Sequence, residues 1–227
     1  MTTDRNHETT SAGVSSRRGF MLGGAALAAG AILAACGKDS AEQIPKSGAL
    51  PVPPETTTTT APGSPATDRV LLQTAQSIEL LAVEVYDAAL DADLLSGSAL
   101  QLATLFQAQH REHAESLADA IRAEGGRPVT EPNAYLKKNG TDEAVEAISD
   151  EETTLLLLRD IENIAAQTYT EAAGIFTTGE LRQYGMSIGA VDAQHLTALN
   201  IVLGYNPVPL PFMPTGKAID PKGRVQD

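Results

Sequence analysis

Six residues in this chain have the chemistry and the spacing to hold a divalent cation: Glu79, His110, His113, Glu162, Asp192 and His195. They fall into two matching sets. Glu79 precedes His113 by thirty-four positions and Glu162 precedes His195 by thirty-three, while His110 and Asp192 each stand three residues before a histidine. Carboxylate oxygen and imidazole nitrogen are the donors that first-row divalent ions accept together. Each of the six also lies in the middle of an apolar stripe. A buried carboxylate with no partner is costly or takes up a proton, so something must meet these groups. Either a cation does so, or the carboxylates and imidazoles pair with one another in a metal-free polar network.

The elements that position them repeat. Ile78 to Tyr86 is echoed eighty-three positions later by Ile161 to Tyr169, and both copies read Ile-Glu, then Ala, then Tyr seven residues after the Glu. Steps of three and four through the first copy give Leu72, Ala75, Glu79, Ala82, Tyr86 and Ala89. Through the second they give Leu155, Leu158, Glu162, Ala165, Tyr169, Ala172 and Phe176. Such a stripe is the face that a helix turns to its partners. The histidine stripes are Ala99, Ala103, Phe106, His110, His113, Leu117, Ala120 and Leu181, Gly185, Ile188, Asp192, His195, Leu199, Val202. Helices are therefore predicted over 68–93, 97–124, 150–177 and 179–203.

The joints at Ser96-Gly97-Ser98 and Thr177-Thr178-Gly179 are short, so each pair of helices forms an antiparallel hairpin. From Gly125-Gly126-Arg127-Pro128 a connection of about twenty-five residues, with room for a short helix near Asp142 to Ile148, can cross the length of a bundle. The prediction is all-α: a four-helix bundle over 68–205, made of two helical hairpins joined by a long crossover. Residues 206–227, with five prolines, form a tail that is no fifth helix. Tyr86 and Tyr169 read as core or supporting residues beside the ligands in preference to radical carriers. Glu84, Glu112, Glu115 and Glu171 lie off the stripes and read as solvated.

With 227 residues the chain has room for one core plus appendages, and a formal net charge of −13 argues against nucleic acid or anionic lipid as a partner. A single cysteine, Cys36, excludes an internal disulfide and a Cys-rich zinc or iron–sulfur site. Of the four histidines, only His7 lies away from the stripes.

Residues 1–35 read as an export signal. Ser16-Arg17-Arg18-Gly19-Phe20-Met21-Leu22 resembles the twin-arginine signal, and Leu33-Ala34-Ala35-Cys36 resembles the bacterial lipobox, which implies diacylation of Cys36. The alternative is an uncleaved anchor, since the uncharged run from Gly19 to Ala35 is at the lower limit for a membrane span. Both place the domain outside the cytoplasmic membrane, with membrane lipid as the partner of an acylated Cys36. Residues 36–67, rich in Pro and Thr, read as an extended tether.

The region 68–205 resembles the ferritin-like superfamily, closer to bacterial desiccation-related proteins than to cage ferritins. In the di-iron members a Glu from each of two helices joins Glu-x-x-His from each of the other two. Carried over, the resemblance makes Glu79 and Glu162 the single glutamates and His113 and His195 the two histidines. Two positions depart from the pattern, His110 and Asp192 standing where the family has Glu. The resemblance implies a di-iron or manganese centre, with oxidation of ferrous iron or consumption of peroxide as the activity. Three imidazoles among six ligands suit zinc or a mononuclear metal as well. The non-catalytic alternative is a tethered helical module for envelope stress protection or partner binding, with a degenerate site.

Overall fold

A computed structural model describes residues 63–226; the signal, the lipobox with Cys36, His7 and most of the tether lie outside the described residues. Helix α1 spans Pro65–Asp91, α2 Gly97–Ala123, α3 Glu151–Ala173 and α4 Gly179–Val202, and there is no strand among the described residues. α1 begins three residues before the predicted start. Ser64 accepts the Thr67 N–H and Pro65 occupies the first helical position, where a missing N–H costs nothing. α3 stops four residues early, because residues 174–178 are needed to reverse the chain and to supply Thr178 as the cap of α4. No described helix is long and apolar enough to cross a membrane.

α1 packs along α2, and α3 along α4. The two hairpins meet chiefly through α1 and α3, and less through α2 and α4. Each hairpin ends in the same way. At the end of α2, Gly125 takes φ of 73° and Gly126 N–H returns to the Ile121 carbonyl; at the end of α4, Gly204 takes φ of 74° and Tyr205 N–H returns to Asn200. This is the Schellman closure, which consumes carbonyls that the helix leaves open. The crossover begins at the first of these closures. It carries short helical turns at Ala134–Leu136, Lys137–Thr141 and Asp142–Glu146 on its way to α3.

Two main clusters make up the apolar core. One cluster holds Leu81, Val85, Phe106, Leu158 and Leu199; the other holds Leu72, Leu117, Ile121, Phe176 and Ile188. Full burial of each such side chain stabilises by roughly 1.5–3 kcal/mol, so these two layers carry the fold. The six polar residues fall between them along the helices. The tail is packed against the outside of the bundle. Lys217 N–H reaches Gln167, Ile219 N–H reaches Thr168, Val225 N–H reaches Thr74, and buried Ile219 packs with Ile78 and Ala165.

α4 approaches α3 most closely at Gly189. A Cβ there would lie 2.4 Å from the Cβ of Tyr169, so the helices would have to part. Gly189→Ala is expected to destabilise the bundle by about 1–3 kcal/mol, a loss of several degrees in Tm readable by circular dichroism.

Candidate metal centre

The repeat turns its four helices so that one side chain of each pair meets a side chain of the other. Tyr86 on α1 donates to Glu162 Oε1 on α3 at 2.5 Å, and Tyr169 on α3 donates to Glu79 Oε1 on α1 at 2.7 Å. The two tyrosines thus act reciprocally, each holding the glutamate of the other repeat. Burial, and then the charge of the facing glutamate, pushes both phenols far up, so they remain protonated donors.

His110 lies between the two glutamates. Its Nδ1 is 2.7 Å from Glu79 Oε2 and its Nε2 is 3.0 Å from Glu162 Oε1, with all three side chains fully buried. Both nitrogens of the imidazole are thus engaged. Burial alone would push the ring down, but the two carboxylates outweigh it and hold His110 well above its ordinary value. Burial likewise raises Glu79 and Glu162, and the facing imidazoles outweigh it, so both stay ionised. The arrangement is that of an imidazolium donating to two carboxylates.

The second shared residue is in the opposite state. Asp192 is fully buried and neither of its carboxylate oxygens has a hydrogen-bond partner. Burial and then the charge of Glu79 push its carboxyl well up. Next to it, His113 Nδ1 is also buried without a partner, 3.6 Å from Asp192 Oδ1 and 3.4 Å from Glu79 Oε2. On the other side His195 Nδ1 is 3.3 Å from Glu162 Oε2, and its Nε2 is 2.7 Å from Gln109 Oε1. Phe106 stacks on the His195 ring at 3.9 Å.

Donor atoms of Glu79, His110, His113 and Asp192 lie within 4.8 Å of one another, and so do those of His110, Glu162, Asp192 and His195. The residues fit a divalent cation. Buried polar atoms are seldom left unpaired, yet three are unpaired here, all of them metal-donor atoms pointing into one cluster.

All six ligands predicted from the sequence are therefore brought together, and Tyr86 and Tyr169 sit beside them as supports. His113 is the most exposed of the six, at 14 % for its side chain. Glu84, Glu112 and Glu115 are exposed, while Glu171 is half-buried near Arg224 of the tail. Sequence reasoning missed Gln109. From the half-buried flank of α2, Gln109 turns its Oε1 to His195 Nε2 and so holds the ring. Its one sequence signal is its place beside His110.

A model of the ferritin-like domain matches residues 67–205, from the first turn of α1 to just beyond α4. No curated protein matches the chain. With its all-helical bundle and that match over most of its length, the chain belongs to the ferritin-like domain family.

Proposed function

We propose that this protein is an exported, lipid-anchored ferritin-like protein on the outer face of the cytoplasmic membrane, with iron or manganese held in the core of its bundle. The buried, unpartnered carboxylate of Asp192 supports the metal most directly. Without a cation it is an uncompensated cost in the interior; with one it is a ligand. Glu79, Glu162, His113 and His195 line the same cluster, with His110 between the glutamates. A redox-active divalent ion would supply electron transfer to dioxygen or peroxide, which makes ferrous iron oxidation or peroxide consumption the reaction class. The chain's own part is to orient and to exclude water. Tyr86 and Tyr169 fix the glutamates, Gln109 fixes the His195 ring, and the two apolar layers close off either end.

His110 favours a second reading. By joining Glu79 and Glu162 through its own nitrogens it closes much of the network without an ion, as in a non-catalytic module with a degenerate site. The anchoring half of the proposal rests on Leu33-Ala34-Ala35-Cys36 and on Arg17-Arg18.

Protein purified from the membranes of its native host is expected to contain iron or manganese by elemental analysis. Absence of any divalent metal there would leave the structural module. In the same cells Cys36→Ala should release the protein from the membrane fraction, and replacement of Arg17 and Arg18 by Lys should block export. Retention of the Cys36→Ala protein would favour an uncleaved anchor.

A further inference from the structure

The two halves of the centre are alike in sequence but not in hydrogen bonding. In the half built on Glu162 every donor atom except those of the shared Asp192 is engaged. Glu162 Oε1 accepts from Tyr86 and faces His110, Oε2 faces His195, and His195 is held on its other nitrogen by Gln109. That half is also sealed, with His195 2 % exposed under the Phe106 ring. In the half built on Glu79 both glutamate oxygens are engaged too, by Tyr169 and His110, but His113 Nδ1 has no partner; neither have the two oxygens of Asp192, which both halves share.

The distances set the bridging His110 apart from His113 and from His195, whose Nδ1 lies 3.3 Å from Glu162 Oε2. His110 sits 2.7 and 3.0 Å from its two carboxylates, which are hydrogen-bond lengths. His113 Nδ1 sits 3.4 Å from Glu79 Oε2 and 3.6 Å from Asp192 Oδ1. Metal–ligand bonds of about 2.1 Å place neighbouring ligand atoms at a tetrahedral centre about 3.4 Å apart. His113 Nδ1 therefore stands at ligand spacing from one oxygen of each carboxylate, and donor atoms of all three residues lie within 4.8 Å of one another. His113 is also the most exposed of the six, at 14 % for its side chain.

We propose that the centre takes one divalent cation per chain, held by Glu79, His113 and Asp192, and that His110, bridging the two glutamates, stands where a second ion would go. This rests on the metal-binding reading above and goes beyond it in number and place. Two carboxylates and one imidazole suit manganese, iron or zinc in the divalent state. Asp192, in reach of both halves, is committed to the Glu79 side.

The test is a titration of the metal-stripped full-length protein with Mn2+ and separately with Zn2+, read as ions bound per chain by equilibrium dialysis and elemental analysis. One ion per chain is expected. His113→Gln, at the most exposed of the ligands, should weaken binding at least tenfold with helix content unchanged, whereas His195→Gln should leave it within about threefold. His110→Glu should admit a second ion. Two ions bound by the unsubstituted chain would overturn the proposal and leave the metal-binding reading standing. One ion lost with His195→Gln and kept with His113→Gln would overturn the assignment to the Glu79 half. No ion bound under any condition would overturn both.

Discussion

Stripped of metal at neutral pH, an Asp192→Asn protein is expected to melt several degrees above the unsubstituted chain. The Asp192 carboxyl has a folded-state affinity for protons well above its ordinary value of 3.8, because burial and Glu79 oppose its charge. A group shifted upward in this way stabilises the fold below its unfolded value and loses that contribution as pH rises. At pH 7 the carboxyl is thus a liability, because an unpaired buried charge costs more than an unpaired neutral polar group. Asparagine keeps the shape and removes the charge, and below about pH 3.8 the two proteins should converge. Adding a divalent ion should then reverse their order. An ion present at about a thousand times its dissociation constant stabilises by about 4 kcal/mol, or on the order of 10 °C for a domain of this size. The unsubstituted chain should gain that increment and Asp192→Asn only a small part of it. Melting curves of both proteins with and without Mn2+ or Zn2+ decide the matter, and an unchanged ranking would remove Asp192 from the ligands.

His110→Ala should produce the opposite effect without metal. Taking one partner from a buried ion pair costs roughly 3–5 kcal/mol, since the remaining charge is left unmatched, and here two carboxylates are left. The expected loss in Tm is on the order of 10 °C at pH 6. The pH profile identifies the cause. Glu79 and Glu162 are held below their ordinary value of 4.5, so what they contribute is present above that pH and fades as pH falls through their folded values. His110 is held above its ordinary 6.5, so its contribution is complete below that pH and fades as pH rises through its folded value. The network is therefore at full strength between about pH 4.5 and 6.5. The difference between the two proteins should be largest in that window and should shrink at lower pH. A pH-independent difference in Tm would mean that the loss is one of packing, for instance against Tyr86, whose ring centroid is 5.3 Å from that of His110.

The spacing of residues already carries the four helices and the common depth of the six polar groups. Steps of three and four fix which side of a helix Glu79 or His195 occupies, and two short joints leave each pair little choice but to run antiparallel. What that spacing does not carry is who faces whom. The reciprocal bonds from Tyr86 to Glu162 and from Tyr169 to Glu79 depend on the height of α1 against α3, which packing sets and no local pattern records. The same holds for Gln109, which lies on a half-buried flank of α2 beside the apolar stripe and not on it. The tail was legible only as proline-rich and non-helical. Its attachment relies on Thr74, Gln167 and Thr168, single polar side chains whose types in the sequence give no sign of the burial they have.

One short contact near the start of the described chain bears on mechanics. Asp68, in the first turn of α1, is almost fully buried; its carboxylate accepts from the backbone N–H of Thr177 at 3.0 Å and from the Thr177 hydroxyl. Thr177 belongs to the turn between α3 and α4, the far end of the other hairpin. Any pull that reaches the domain through the residues before Gly63 enters at this joint, and so is shared between the two hairpins from the outset. Peeling α1 away from its N-terminal end must first break both bonds to Thr177. In force spectroscopy the unfolding force should fall with Asp68→Ala when the load is applied at the N-terminal side, while a pull across α2 and α3 should hardly register the change.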